Sequence, residues 1–121
     1  MEIKRLIEDK NLKLTTARKE LLEIFLSEKK PLSFEDIKDR ISMDKATFYR
    51  NISKFENESI VNSFESNDRK KYYEVQEFPH AHFICNLCNE ITCLKSTFNI
   101  KIHRYIIQDM ILKGVCEKCN I

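Results

Sequence analysis

The sequence predicts an α+β chain in two parts. A winged helix-turn-helix of four short helices and two strands comes first, and a small α/β unit stapled by paired cysteines follows. Three observations predict this. Apolar residues recur at helical spacing up to about residue 57, then give way to short β-branched and aromatic runs. Two CxxC pairs, Cys85-Asn86-Leu87-Cys88 and Cys116-Glu117-Lys118-Cys119, bracket the last third of the chain. Glu77-Phe78-Pro79 separates the regimes, because proline cannot pair within a central strand. The expected boundaries are residues 1–76, a hinge at 77–79, and residues 80–121.

Ile3, Leu6 and Ile7 share one face of a first helix over residues 2–10. Thr15 or Thr16 caps a second, in which Leu21, Leu22, Phe25 and Leu26 form the apolar stripe. Lys29-Lys30-Pro31 ends it near Ser27. Ser33, with Asp36 three residues on, caps a short third helix whose Phe34, Ile37 and Ile41 face inward. Asp44 caps the fourth helix, Lys45 to about Asn57, with Phe48, Ile52 and Phe55 inward. Lys45, Thr47, Tyr49, Arg50, Ser53 and Lys54 remain for the outer surface, the residue types a recognition helix presents to a major groove. The plain alternative is a solvated amphipathic helix.

Residues 60–64 and 71–75 read as strands around a turn at 65–68, a wing with Arg69, Lys70 and Lys71 at the turn end where a phosphate backbone would pass. Beyond the hinge, Phe83-Ile84 leads into the first cysteine pair and residues 91–94 lead out as a strand. Residues 105–113 read as a further strand, with Gly114 turning into the second pair. Asn89 and Asn120 each follow a pair, where a left-handed residue is needed and Asn is the best choice after glycine.

Composition narrows the chemistry. The net charge of +2 is too small to argue nucleic-acid binding alone, so local patches must carry it. The chain has 5 cysteines. With no signal peptide at Met1-Glu2-Ile3-Lys4-Arg5 and no membrane span, the CxxC pattern favours metal binding in a reducing cytoplasm. Two CxxC knuckles supply four thiolates, enough for a closed tetrahedral zinc site. The alternative, four buried free thiols, does not explain the double spacing. A redox CxxC would open a helix in a βαβ pattern, and neither pair does. A 42-residue unit over 80–121 is small enough to need such a staple. His80 and His82 share one strand face and suit chelation, or else mark a polar hinge. Cys93 reads as a ligand, a core thiol or an oxidation-sensitive one. His103 is the remaining histidine.

At this point the chain resembles the ferric uptake regulator family of bacterial metal-sensing repressors. Ala46-Thr47-Phe48-Tyr49-Arg50-Asn51-Ile52 is similar to its recognition motif ATVYRNL, and Leu14-Thr15-Thr16-Ala17-Arg18 to the start of its second helix. Lys71-Tyr72-Tyr73-Glu74 resembles the end of its wing. His80-Ala81-His82-Phe83-Ile84-Cys85-Asn86-Leu87-Cys88 resembles HxHxxCxxC, and Gly114-Val115-Cys116-Glu117-Lys118-Cys119 the closing GxCxxC. Nearly the whole chain is covered in order, as a short member resembling the zinc-uptake regulators.

The resemblance implies a small zinc-clipped α/β dimerisation domain after the winged helix, and a dimer on palindromic double-stranded DNA operators. It implies structural zinc on Cys85, Cys88, Cys116 and Cys119, and a sensing metal on Glu74, His80 and His82. Tyr49 and Arg50 match its DNA-facing pair and Arg18 a backbone contact. Lys13, Lys45, Thr47, Ser53, Lys54 and Arg69 complete the expected DNA-binding set. Three departures stand out. Pro31-Leu32 occupies the place of a usual histidine, and Cys93 that of a usual carboxylate, which softens the site toward zinc. Gln108 stands near the histidine of the last strand, which argues against a second sensing site. The helix between the clip strands is shortened, so the homodimer is expected to rest mainly on strand pairing.

The sequence therefore reads as a metal-responsive, sequence-specific DNA-binding repressor, with zinc in the clip and zinc, iron, manganese or nickel at the hinge. The alternative is a constitutive zinc-stabilised DNA- or protein-binding adaptor that senses nothing. An enzyme such as a thiol oxidoreductase lacks a visible catalytic base or cofactor loop.

Overall fold

The computed structural model describes residues 3–8, 10–75, 81–94, 100–107 and 109–121. It is mixed α+β, in the order α1 (Ile3–Ile7), α2 (Thr16–Glu28), α3 (Phe34–Ile37), α4 (Lys45–Asn57), β1 (Asn62–Glu65), β2 (Lys71–Glu74), β3 (Ala81–Cys85), β4 (Ile91–Leu94) and β5 (Ile111–Gly114). Among the described residues, no helix is long and apolar enough to cross a membrane. The expected hinge at 77–79 lies outside the described residues.

Local chemistry sets the helix ends. The Thr15 side chain caps α2 by accepting from Arg18 N at 3.2 Å, and Lys29 closes it in a left-handed conformation, φ 53°. Ser33 and Asp36 form a full capping box on α3, Asp36 Oδ2 accepting from Ser33 N at 2.9 Å. Asp44 Oδ1 accepts from Thr47 N at 2.8 Å to start α4. Asp44→Ala is expected to cost about 1 kcal/mol, measured as a lowered thermal midpoint with α4 otherwise intact.

The stripes close one core. Leu21, Leu22, Phe25, Ile37, Phe48, Ile52 and Phe55 are buried together with Leu32, Ile60, Val61 and Tyr73. Strands β1 and β2 form an antiparallel hairpin running from Asn62↔Glu74 to Glu65↔Lys71. Leu32 adds a bridge on the other edge of β2, with Leu32 N donating to Tyr73 O at 2.9 Å and Tyr73 N to Leu32 O at 2.8 Å. The second sheet has the order β4-β3-β5, with β3 antiparallel to β4 and parallel to β5. Among the described residues, its buried apolar side chains are Ala81, Ile84 and Cys85.

Several expectations need correction. Helix α1 is one short stretch rather than residues 2–10, and α3 stops at Ile37, so Ile41 packs on the core from beyond it. Strand β1 begins at Asn62 because Ile60 and Val61 are used otherwise. Their N–H groups return to Phe55 O at 2.8 and 3.4 Å after Ser59 turns left-handed, closing α4. The strand expected over 105–113 shrinks to β5 at its C-terminal end. Strand β3 pairs β5 over four positions, His82↔Ile111 to Cys85↔Gly114, and Tyr105, Ile106 and Ile107 lie outside the described strands. Gly114 is the last residue of β5 rather than a turn. A Cβ there would approach the Phe83 ring to 3.3 Å. Asn89 is left-handed at φ 61°, but Asn120 is not among the positive-φ residues.

Candidate metal centres and nucleic-acid interface

Parallel pairing of β5 beside β3 brings the two CxxC knuckles together. Asn86 N donates to Gly114 O at 2.7 Å, and each knuckle closes on itself, Asn89 N on Cys85 O and Asn120 N on Cys116 O, both at 2.9 Å. The four sulfurs of Cys85, Cys88, Cys116 and Cys119 all lie within 4.8 Å of one another. Cys88 Sγ and Cys116 Sγ are 3.8 Å apart. A tetrahedron with metal–sulfur bonds of about 2.3 Å has edges of about 3.8 Å, so the set fits zinc. Cys85 Sγ accepts from the N–H groups of Leu87, Cys88 and Cys116 at 3.4 Å each. Those donors, Cys88 and then Cys116 foremost, hold its thiol down to about 6. Cys119 is pushed up to about 12, first by its hydrogen bond to Cys116 and then by burial. Four adjacent thiolates need a cation before all can ionise. An exposed Lys118–Glu90 ion pair at 3.4 Å also links the knuckles, and contributes little.

A second cluster sits where the hairpin meets the second sheet. Glu74 ends β2, His82 lies in β3, and Cys93 lies directly opposite His82 in β4. Their ligand atoms lie within 4.8 Å of one another. His82 Nε2 is 3.1 Å from Glu74 Oε1, and Cys93 Sγ is 3.5 Å from Glu74 Oε2. Glu74 and His82 are buried, at 5% and 3% exposure. A carboxylate this deep is costly unless paired or bound to a cation, and one oxygen, one nitrogen and one sulfur donor suit a divalent ion with zinc-like tastes. His80 lies outside the described residues. Leu32 is buried in its bridge to Tyr73, so the Pro31-Leu32 stretch lies beside Glu74 without offering a ligand. His103 is exposed and belongs to neither cluster, and Gln108 lies outside the described residues.

Helix α4 separates its faces cleanly. Phe48, Asn51, Ile52 and Phe55 are buried, whereas Lys45, Tyr49, Arg50, Ser53 and Lys54 are exposed and Thr47 is half-buried. The Tyr49 ring leans on Phe48 at 5.1 Å and Phe34 at 5.8 Å, which fixes its direction. Lys45 Nζ stands 5.4 Å from the Phe34 ring centre. Arg18 is partly spent inside the fold: Nε donates to Asn51 Oδ1 at 3.0 Å and Nη1 to Lys13 O at 2.7 Å. That bracing ties the start of α2 to α4. Arg69 is exposed at the hairpin turn with φ 66°.

Four residues with structural roles here carry no local sequence signal of them: Asn51, which holds Arg18; Phe64, which packs on His82; and Asn67 and Asn86, which meet across the two sheets. Asn51 stands inside the quoted motif, but its partner lies 33 residues away.

The chain matches the model of the ferric uptake regulator family over residues 9–120. A ferric uptake regulation protein of Staphylococcus epidermidis is 30% identical, over 96% of this chain and 92% of the relative. The iron-containing ferric uptake regulator of Francisella tularensis superposes with a TM-score of 0.70 at 27% identity, covering 93% of this chain and 97% of that one. The Helicobacter pylori regulator gives 0.74 at 21% identity, over 98% and 89%, a likeness of fold. The chain belongs to the ferric uptake regulator family, a family of metal-responsive transcriptional regulators.

Proposed function

We propose that this chain is a sequence-specific DNA-binding repressor that acts as a cytoplasmic homodimer and is switched by a divalent metal at the hinge. Residues 1–76 are its winged-helix reader, 77–79 its hinge and 80–121 its zinc-stapled dimerisation and sensing domain. Cys85, Cys88, Cys116 and Cys119 hold structural zinc, which supplies the cross-link a thin core lacks. Glu74, His82 and Cys93, with His80, hold the sensed metal. The hairpin β1–β2 is the wing. Lys45, Thr47, Tyr49, Arg50, Ser53 and Lys54 face the major groove, while Lys13, Arg18 and Arg69 meet phosphates.

One observation carries this reading: the ligand from the wing, Glu74, converges with His82 and Cys93 from the other sheet. Occupancy of such a site favours one angle between reader and dimer domain, so two recognition helices reach successive grooves about 34 Å apart. The exposed apolar run supports the dimer, with Tyr105 at 72% and Ile106 at 89% exposure. It precedes β5 in the chain, and β5 has one strand neighbour among those described. Withdrawing the hinge metal with the clip zinc retained is expected to lower affinity for an operator selected from a random duplex pool. Unchanged affinity would sink the reading.

Arg50→Ala is expected to weaken operator binding by roughly 1–3 kcal/mol and to relax preference at one base pair. Equal affinity in a duplex titration would remove Arg50 from the reading face. The adaptor reading is favoured by Pro31-Leu32, which gives the hinge one ligand fewer. It predicts one metal per chain at saturating zinc.

A further inference from the structure

One face of the hairpin is turned toward the hinge cluster. Phe64 and Tyr72 are register partners, and Glu74 stands two residues along β2 on the same face. Only Glu74 of these offers a ligand atom. Phe64 nevertheless lies closest in character to a sensor part: it is 7% exposed, and its ring packs on the His82 imidazole with centroids 4.9 Å apart and planes at 30°. It also stacks on the Tyr72 ring, at 5.9 Å and 18°. Farther out, Asn67 Nδ2 in the hairpin turn donates to Asn86 Oδ1 in the first cysteine knuckle at 3.1 Å. Asn86 is itself pinned through its backbone N–H to Gly114 O. Among the described residues, the hairpin meets the second sheet and its knuckle through Glu74 at the cluster, Phe64 on the imidazole, and Asn67 on the knuckle.

We propose that Phe64 is the positioning residue that couples the hinge centre to the wing, with Asn67–Asn86 as an outer latch. This rests on the reading of Glu74, His82 and Cys93 as a metal centre. An imidazole whose nitrogen is ligated keeps one ring plane, and an aromatic ring packed against that plane is confined with it. Without a coordinate bond the imidazole keeps its contact with Glu74, but its ring plane is less tightly fixed, which loosens the apolar contact without breaking the backbone pairing of the hairpin. Phe64 therefore converts ligation of one side chain into an orientation of the whole wing. The Asn67–Asn86 bond is exposed and neutral, so it steadies the turn rather than driving the change. By linkage, whatever fixes the wing raises metal affinity at the hinge by the same factor that metal favours the fixed wing.

The test uses full-length chains carrying clip zinc, with cobalt(II) titrated into the second site. Wild type, Phe64→Leu and Asn67→Ala are compared by cobalt absorption and by hydrogen exchange of the wing amides at 62–74. In wild type, cobalt is expected to slow wing exchange by about tenfold or more. Phe64→Leu keeps apolar bulk but not the flat face. It is expected to bind cobalt about threefold or more weakly than wild type, by the factor of slowing it loses, while the slowing itself falls below about threefold. Asn67→Ala is expected to lose the slowing at residues 66–70 only. A Phe64→Leu chain that keeps the full slowing overturns the coupling. If that variant loses its clip zinc, Phe64→Met decides by the same measurement, and full slowing in it then overturns the coupling. A wild type that takes up only one metal per chain removes both the coupling and the sensing reading beneath it, whereas two metals with unchanged coupling in Phe64→Leu removes the coupling alone.

Discussion

Cys85→Ser is expected to release the clip zinc and unfold the β3–β4–β5 sheet while leaving the helical part folded. Cys85 is the cysteine to choose because it is fully buried and its sulfur gathers three backbone N–H groups from both knuckles. A serine oxygen is a poorer zinc ligand, and the remaining three sulfurs lose the position at which the knuckles meet. Structural zinc sites carry an apparent binding free energy of about 10–16 kcal/mol, most of it realised as folding. Among the described residues, the sheet has no other reserve of that size. Its buried apolar residues are Ala81, Ile84 and Cys85 itself, whereas the helical core buries twelve side chains in one cluster. Metal analysis should show one zinc fewer per chain, and exchange of the β3 and β5 amides should approach that of unfolded chain. A variant with wild-type zinc content and sheet protection would show that the four thiols merely pack together.

The second large effect belongs to the hinge. His82→Ala, Glu74→Gln and Cys93→Ser should each lose the second metal and, with it, the gain in operator affinity that metal brings. Coupling between two sites is typically worth 1–3 kcal/mol, so operator affinity in saturating metal is expected to drop roughly 5–150-fold. The clip zinc should stay in place, since its sulfurs form a separate cluster. Cys93→Ser carries an additional signature. With cobalt(II) at the hinge, the wild type should show sulfur-to-metal charge-transfer absorption beyond that of the clip, and the variant should not. Replacing the sulfur with a hard oxygen in Cys93→Glu should shift preference away from zinc and toward iron or manganese. Charge-transfer absorption that persists in Cys93→Ser would remove Cys93 from the ligand set.

The helices were legible because their signals are local. Thr15, Ser33 and Asp44 each cap a helix within the next three residues, and the inward positions of α2 and α4 follow the 3.6-residue period. The apolar run at 105–113 misled for a physical reason: β-branched residues favour a strand, but a strand exists only where another strand offers its edge. Strand β3 offers four positions, and they are taken by the residues nearest the second clip. The Ile60-Val61 pair misled similarly, since burial at the end of α4 competes with strand pairing and wins.

By itself the sequence determined the candidate ligand types and their spacing: two CxxC knuckles, a carboxylate before the proline, two histidines after it, and a cysteine beyond the first clip. Each is a property of a few neighbouring residues. Only the tertiary structure decided which of them meet. It set Cys93 opposite His82 through the β3–β4 register, and brought Glu74 to both across the boundary between two sheets. It also turned Arg18 inward to Asn51 and laid Phe64 on His82, contacts between residues far apart in the chain. No local pattern encodes such meetings, because they depend on how whole elements pack and on which strand finds which edge.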